Sequence, residues 1–394
     1  MKALPPLIMT SEPGSFARNT IEERKPLIID QILQDFDYTP SIRNELIQFK
    51  SELTGGLVKP LTEETSDREI WDKDIRPWLG KTWLEIPWFL AETFFYRRIL
   101  EIVHYFSPGP FQNQDPYKRL KDKELLDAVH IFTQTNGSIS SEQPYEMFKR
   151  VCFQAMWGNR GDLSNLQVFD TDMGEQSEHI ILDQSASAYD LLKLKPSKIA
   201  YFMDNAGREL FFDLALIDYL LQSDLAETIT LYLKNQPFFV SDVMPADLEK
   251  TLLVLSASNI DSNYELGYRL QNALKDGRIA IETPVFLTTS CMYREMPHVS
   301  FKQLGEYDLT ILKGDVNYRR LFDDRHWDPT IPVEEAAAYF PTSFLSLRTQ
   351  KSELVLGLSR DVYEHIKSTA EPDWLINGKR GLLTFYQKDD HPSL

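Results

Sequence analysis

Asp204-Asn205 follows the apolar run Lys198-Ile-Ala-Tyr-Phe-Met203, and Asp242 closes the run Phe238-Phe-Val-Ser. Two carboxylates and one neutral amide are the oxygen ligands that hard divalent cations such as Mg²⁺ and Mn²⁺ select, usually with waters completing the shell. An ion so bound keeps positive charge free to neutralise a substrate phosphate. An Asp/Asn turn also caps a following helix, so the residues alone leave both uses of Asp204-Asn205 open. A third cluster, Lys313-Gly-Asp-Val-Asn-Tyr-Arg-Arg320, follows the apolar run Leu309 to Leu312. Its blend of cations with Asp315 and Asn317 suits sugar hydroxyls together with phosphate, or else the start of a surface helix. Arg348-Thr-Gln-Lys351 ends the run Ser343 to Leu347 with two cations, either a phosphate contact or a solvated strand end. Gly158-Asn-Arg-Gly-Asp-Leu-Ser164 is one more polar loop.

Elements of two kinds must position these residues. Up to about residue 180 the chain reads as helices. Thr20/Glu23 and Ser66/Glu69 have the S/T-x-x-E spacing of reciprocal capping, and the aromatic stretch Trp83 to Phe106 predicts a buried helix that carries Arg97 and Arg98. Ser107 to Tyr117 and Thr135 to Pro144 are rich in turn formers and read as loops. From about residue 195, apolar runs alternate with helical ones. Strands are expected at 198–203, 228–233, 238–242, 285–289, 309–312 and 343–347, with helices from Gly207 through Leu221 and from Ser262 to Lys275. Alternation of this kind predicts an α/β fold whose mostly parallel sheet is covered on both faces. In such sheets ligands bind beyond the carboxyl ends of the strands, where all four clusters fall.

Composition narrows the classes of function. The 394 residues hold 42 Lys+Arg against 59 Asp+Glu, a net charge of −17, with 42% hydrophobic and 26% charged residues. That is a globular composition, and its negative field opposes nucleic acid and anionic membrane. Cys152 and Cys291 are too few for a disulfide framework, which favours a reducing cytoplasm. The first 20 residues lack the basic start and apolar core of a secretory leader, and no apolar run approaches a bilayer span. P-loop, dinucleotide, zincin, serine-hydrolase and zinc-ribbon motifs do not occur, the seven histidines are scattered, and Ala206 stands where a haloacid dehalogenase carries its second Asp.

The motifs taken together resemble the damage-control phosphatase family, also called domain of unknown function 89, and within it the acidic residue methyltransferase 1 subfamily. The resemblance is carried by Phe16-Ala-Arg-Asn-Thr20 with Glu23-Arg24, PWFLAETFFYRR to Arg98, WGNRGDLS from Trp157, DNAGRELFFDL from Asp204, FFVSDV from Phe238, LKGDVNYRRL from Leu312, and RTQK from Arg348. It implies a helical N-terminal domain, 1–150, on a three-layer α/β/α core, 151–394. It implies a divalent ion, Mn²⁺ or Mg²⁺ with Co²⁺ or Ni²⁺ able to substitute, on the catalytic residues Asp204, Asn205 and Asp242. Substrate contacts would come from Asp204, Asn205, Asp315, Val316, Asn317, Tyr318, Arg319 and Lys351, and the reaction would be hydrolysis of small phosphate esters such as fructose 1-phosphate or fructose 6-phosphate. Arg208 departs from the apolar residue of relatives. The subfamily name carries a second assignment, S-adenosylmethionine-dependent methylation of protein carboxylates, for which Glu209 and Asp242 would be the cofactor contacts. No glycine-rich first loop supports it.

Overall fold

The computed structural model describes residues 4–135, 143–158 and 179–388. Chain entry is organised by Ser15, whose Oγ accepts from the Arg18 amide at 3.1 Å and so caps α1 (Phe16–Asn19). A π-helical turn, Thr20–Arg24, leads on into α2 (Lys25–Asp35). Because the helix has already begun at Ser15, Thr20 is an interior residue and its hydroxyl bonds back to the Phe16 carbonyl at 2.8 Å, so the capping box expected at Thr20/Glu23 does not form. The one expected at Ser66/Glu69 is also absent. There α4 (Arg68–Ile75) starts after Asp67, whose carboxylate serves Trp71 and Arg97.

Between them lies α3 (Pro40–Glu52), and all pack on α5 (Trp88–Ile102), where every residue but Arg98 is buried. A helix apolar on all sides belongs at the centre of its layer. The next helices are α6 (Lys118–Thr135), α7 (Pro144–Trp157) and α8 (Ser185–Leu192). After them come α9 (Arg208–Gln222), α10 (Pro245–Ser256) and α11 (Asp261–Lys275). The last are α12 (His298–Leu304), α13 (Gly314–Leu321), α14 (Val333–Ala337) and α15 (Arg360–Thr369). None of the described helices is long and apolar enough to cross a membrane.

Among the described residues, seven strands form one sheet: β1 (Ile180–Asp183), β2 (Ser197–Phe202), β3 (Ala226–Tyr232), β4 (Ile279–Glu282), β5 (Leu309–Lys313), β6 (Ser343–Thr349) and β7 (Gly381–Tyr386). Their order is β1-β7-β6-β5-β2-β3-β4. Strands β2 to β6 are mutually parallel, and only β7 runs against its neighbour β6. Alternation along β2 shows the layers. Ile199 and Tyr201 join a core with α6 to α11, while Ala200 and Phe202 join another with α12 to α14 and the start of α5. The α/β/α reading of the sequence is therefore what the chain adopts.

Two strand expectations differ from the structure, and β1, β4 and β7 were not expected. Residues 285–289 wind into a 3₁₀ turn, Val285–Thr288, in which the Thr288 hydroxyl bonds the Val285 carbonyl; the true edge strand β4 lies just before it. Residues 238–242 form a turn, with Phe239 at φ 47°, that pairs with the chain after β2 through a bridge from Asp242 to Asn205. The sequence raises no strand expectation at β4 because its apolar run, Ile279-Ala-Ile281, is short, and three of its four residues are exposed.

Candidate functional site

From β2 the chain steps through β3 to β4 on one side, then returns to β5, β6 and β7 on the other. The reversal lies between β2 and β5, where helices diverge and leave a crevice at the carboxyl ends. Asp204 sits two residues beyond β2, and Gly314 opens α13 directly after β5. The crevice is a cavity of about 520 Å³ whose sheet side carries Asp204, Asn205, Asp242, Gly314, Asp315, Val316 and Lys351.

Backbone pairing fixes the acidic corner. The Val243 amide donates to the Asp204 carbonyl at 2.9 Å and the Ala206 amide to the Ser241 carbonyl at 2.7 Å, so the turns after β2 and β3 are held as one unit. Asp204 Oδ2 accepts from Asn205 Nδ2 at 2.8 Å, and the same amide nitrogen donates to Glu209 Oε2 at 2.9 Å. Ser241 Oγ donates to Asn205 Oδ1 at 2.6 Å. Beneath them Lys234 pairs with Asp242 at 3.0 Å, and Lys313 pairs with Glu209 at 2.8 Å and Asp213 at 3.1 Å. All six of these charged groups, Asp204 included, are more than nine-tenths buried.

Four carboxylates face two ammonium groups here, a deficit of two positive charges in a poorly solvated place. Burial first, then repulsion from Glu209 and Asp242, pushes the Asp204 carboxyl far above its usual range, and burial raises Asp242 and brings Asp213 to about 7. A divalent cation is what such a deficit accommodates, and the hard-oxygen donors suit Mg²⁺ or Mn²⁺. Among the described residues no three His, Cys, Asp or Glu side chains form a ready cage, so the candidate set is two carboxylates and one amide. An amide ligates through oxygen, and Oδ1 of Asn205 is the atom now held by Ser241.

The remaining expected residues divide. Lys351 lines the cavity, and its ammonium has no partner among the described residues. Its neighbour Arg348 is wholly buried, bonded to Asp315, Ser352 and the Leu354 carbonyl, and stacked 4.0 Å from the Tyr318 ring. Asp315 and Val316 face the cavity, whereas the side chains of Asn317, Tyr318 and Arg319 point into the protein. Asn317 accepts from Tyr293 and donates to the Lys313 carbonyl, both at 2.7 Å. Tyr318 accepts from the Leu356 amide, and Arg319 pairs with Asp315 and Asp324 beneath the Trp88 ring. What that segment offers a ligand is its first turn, whose N–H groups have no intrahelical acceptor. Arg320 is spent on the carbonyls of Leu287, Thr289 and Cys291. Asn159 to Ser164 lie outside the described residues.

Sequence reasoning passed over Lys234, Asp213 and the helical wall of the cavity, formed in part by Trp88, Glu92, Tyr96 and Tyr117. Lys234 was findable, since it follows β3 by two residues. The helical wall was not, because aromatic residues at helical spacing read as core.

Asp315 also links the site to stability. Burial raises its carboxyl, but Arg348 and Arg319 pull harder and set it at about 2, against 3.8 unperturbed. A native value below the unfolded one stabilises fully above about pH 4 and is lost as pH falls through about 2, a contribution of about 2 kcal/mol. Urea unfolding should therefore show the stability gap between wild type and Asp315→Asn shrinking by about 2 kcal/mol from about pH 5 to about pH 2. A gap independent of pH would contradict this role for the ion pairs.

The sequence profile of the Damage-control phosphatase ARMT1-like domain matches residues 20–366. Damage-control phosphatase ARMT1 of Danio rerio is 28% identical to this chain, with 97% of each covered. The Mus musculus and Homo sapiens proteins of that name are 29% and 26% identical, each match covering 98% of this chain and 99% of the relative. A crystal structure of a DUF89 family protein from Pyrococcus horikoshii aligns over 95% of this chain and 98% of its own, with 14% identity and a TM-score of 0.49.

Proposed function

The chain belongs to the damage-control phosphatase ARMT1-like family, and from that membership we infer a phosphatase that uses a divalent metal to hydrolyse small phosphorylated metabolites, sugar phosphates such as fructose 1-phosphate or fructose 6-phosphate among them. The observation that carries the reading is the buried charge deficit at the switch point, directly beside the first turn of α13 and Lys351, which has no partner among the described residues. Asp204, Asn205 and Asp242 would hold the ion. A bound Mn²⁺ or Mg²⁺ supplies charge neutralisation at the phosphoryl oxygens and lowers the pKa of a coordinated water.

Everything else is done by the chain itself. The amides that open α13 point at the cavity and favour an anion there. Lys351 adds a flexible point charge for a phosphate oxygen. Lys234 and Lys313 hold Asp242 and Glu209 in place, so the carboxylates need not reorganise when charge develops during reaction. Asp315, clamped by two arginines, keeps the first turn of α13 in register with the cavity.

The test is phosphate release from p-nitrophenyl phosphate and from fructose 1-phosphate and 6-phosphate, with Mn²⁺ and after chelation by EDTA. Activity should vanish on chelation and return with Mn²⁺. Equal release without metal would overturn the metal assignment.

A further inference from the structure

An asparagine carboxamide ends in a donor and an acceptor of nearly equal size, so its shape fits two orientations and only its partners choose between them. A hard cation takes the oxygen and rejects the nitrogen. For Asn205 that choice decides whether the residue can serve a metal site at all. Capping does not make the choice. Helix α9 opens after Gly207, whose φ is 68°, so neither Asp204 nor Asn205 stands at its cap.

Three side chains surround the amide. Its nitrogen lies 2.8 Å from Asp204 Oδ2 and 2.9 Å from Glu209 Oε2, and its oxygen lies 2.6 Å from Ser241 Oγ. They do not constrain it equally. A hydroxyl donates or accepts by turning about its C–O bond, so Ser241 serves either orientation. Asp204 is itself in the proposed ligand set, and its oxygens are the ones an ion would draw on. Of the three, Glu209 alone stands outside that set and, as a carboxylate, only accepts.

The fold holds Glu209 firmly in that position. It sits in the first turn of α9, where the helix end favours a carboxylate, and reaches back four residues to Asn205. Its other oxygen, Oε1, accepts from Lys313 at 2.8 Å. Lys313 is anchored in turn by the Ala155 carbonyl at 2.6 Å and by Asp213 at 3.1 Å. An ammonium only donates, so Lys313 keeps an oxygen of residue 209 turned toward itself and leaves the second terminal atom to Asn205.

We propose that Glu209 is a positioning residue: it holds Asn205 Nδ2 and thereby sets the amide with Oδ1 as the atom available to a divalent cation. This rests on the metal-dependent phosphatase reading and adds to it a residue that does not itself touch the ion. It also gives Glu209 a use other than the cofactor contact that the methyltransferase assignment would ask of it.

The experiment titrates Mn²⁺ into metal-free protein by calorimetry for wild type, Glu209→Ala and Glu209→Gln. Both variants remove the same charge, and they differ in what faces Asn205. In Glu209→Gln, Lys313 holds the new carboxamide by its oxygen, so the NH₂ group is turned on Asn205 and favours the reversed amide. In Glu209→Ala the amide is free to take either orientation. Mn²⁺ affinity should fall about tenfold in Glu209→Ala and at least about fivefold further in Glu209→Gln, although glutamine is the closer match in shape. Adding Asn205→Asp to Glu209→Gln should bring the affinity back to within about threefold of wild type, because a carboxylate presents oxygen on both sides and accepts from the new NH₂. Equal affinities in the two single variants would show that only charge matters, and a weaker Glu209→Ala that only packing does; either overturns the role. So does a double variant that binds no better than Glu209→Gln, a comparison that stands even where Glu209→Ala does not fold. A wild type that binds no Mn²⁺ overturns the metal assignment itself, and the role of Glu209 with it.

Discussion

Asp204→Ala should lower kcat/KM for p-nitrophenyl phosphate at least about a thousandfold, roughly 4 kcal/mol of transition-state stabilisation, and abolish Mn²⁺ binding measured by calorimetry. The magnitude follows from the position of the carboxylate. Asp204 is buried beside Glu209 and Asp242 at the point where the sheet order reverses, while Glu209 and Asp242 are already paired with Lys313 and Lys234. Its effect on stability should have the opposite sign. A carboxyl whose native pKa is raised above the unfolded value weakens the folded state at neutral pH, where it must ionise against that environment, so removing it should raise the melting temperature of the metal-free protein. Loss of activity through unfolding would show the reverse.

Lys351→Ala provides the contrast: about a tenfold loss, about 1.4 kcal/mol, with Mn²⁺ affinity nearly unchanged, because a solvent-reachable ammonium meets the phosphate and not the ion. Full activity of Asp204→Ala with Mn²⁺ still bound would refute the site.

The split between what the sequence revealed and what it hid follows the physics of each residue. Asp204 and Asp242 stood out because each directly follows an apolar run, although the sequence left a capping role for Asp204-Asn205 equally open. Strands β2, β3, β5 and β6 were legible for a related reason, as central parallel strands are apolar on both faces. Strand β4 was hidden because its apolar run, Ile279-Ala-Ile281, is too short to stand out. The Asp-Val-Asn-Tyr-Arg segment was singled out in the sequence, yet its orientation was not readable. Only the phase of α13 after Lys313 turns Asp315 and Val316 to the cavity and Asn317, Tyr318 and Arg319 inward. The helical wall was hidden most deeply, because on α5 a buried acid looks like a structural pair, which Glu92 is for Lys25.

Gly314→Ala should be the most damaging single-methyl change in the chain. Gly314 has φ 80°, a conformation that costs an L-residue about 1 kcal/mol. Strain alone is modest, and Gly277 calibrates it: φ is 76° there, with nothing within 4 Å of a built Cβ. At Gly314 the same Cβ would lie 1.9 Å from Asp204 Oδ2 and 2.3 Å from its Cγ. Something must shift to absorb that overlap, so either the Asp204 carboxylate leaves its bond to Asn205 and the proposed metal site or the first turn of α13 withdraws from the cavity. Both movements would separate the proposed ion site from the amides proposed to receive the phosphate, and placement errors of this size are costly to catalysis. Gly277→Ala should thus lose about 1 kcal/mol of stability and keep its kcat/KM, while Gly314→Ala loses at least about a hundredfold in kcat/KM. Equal activity in the two variants would show that Asp204 and the α13 turn need not touch for the reaction to proceed.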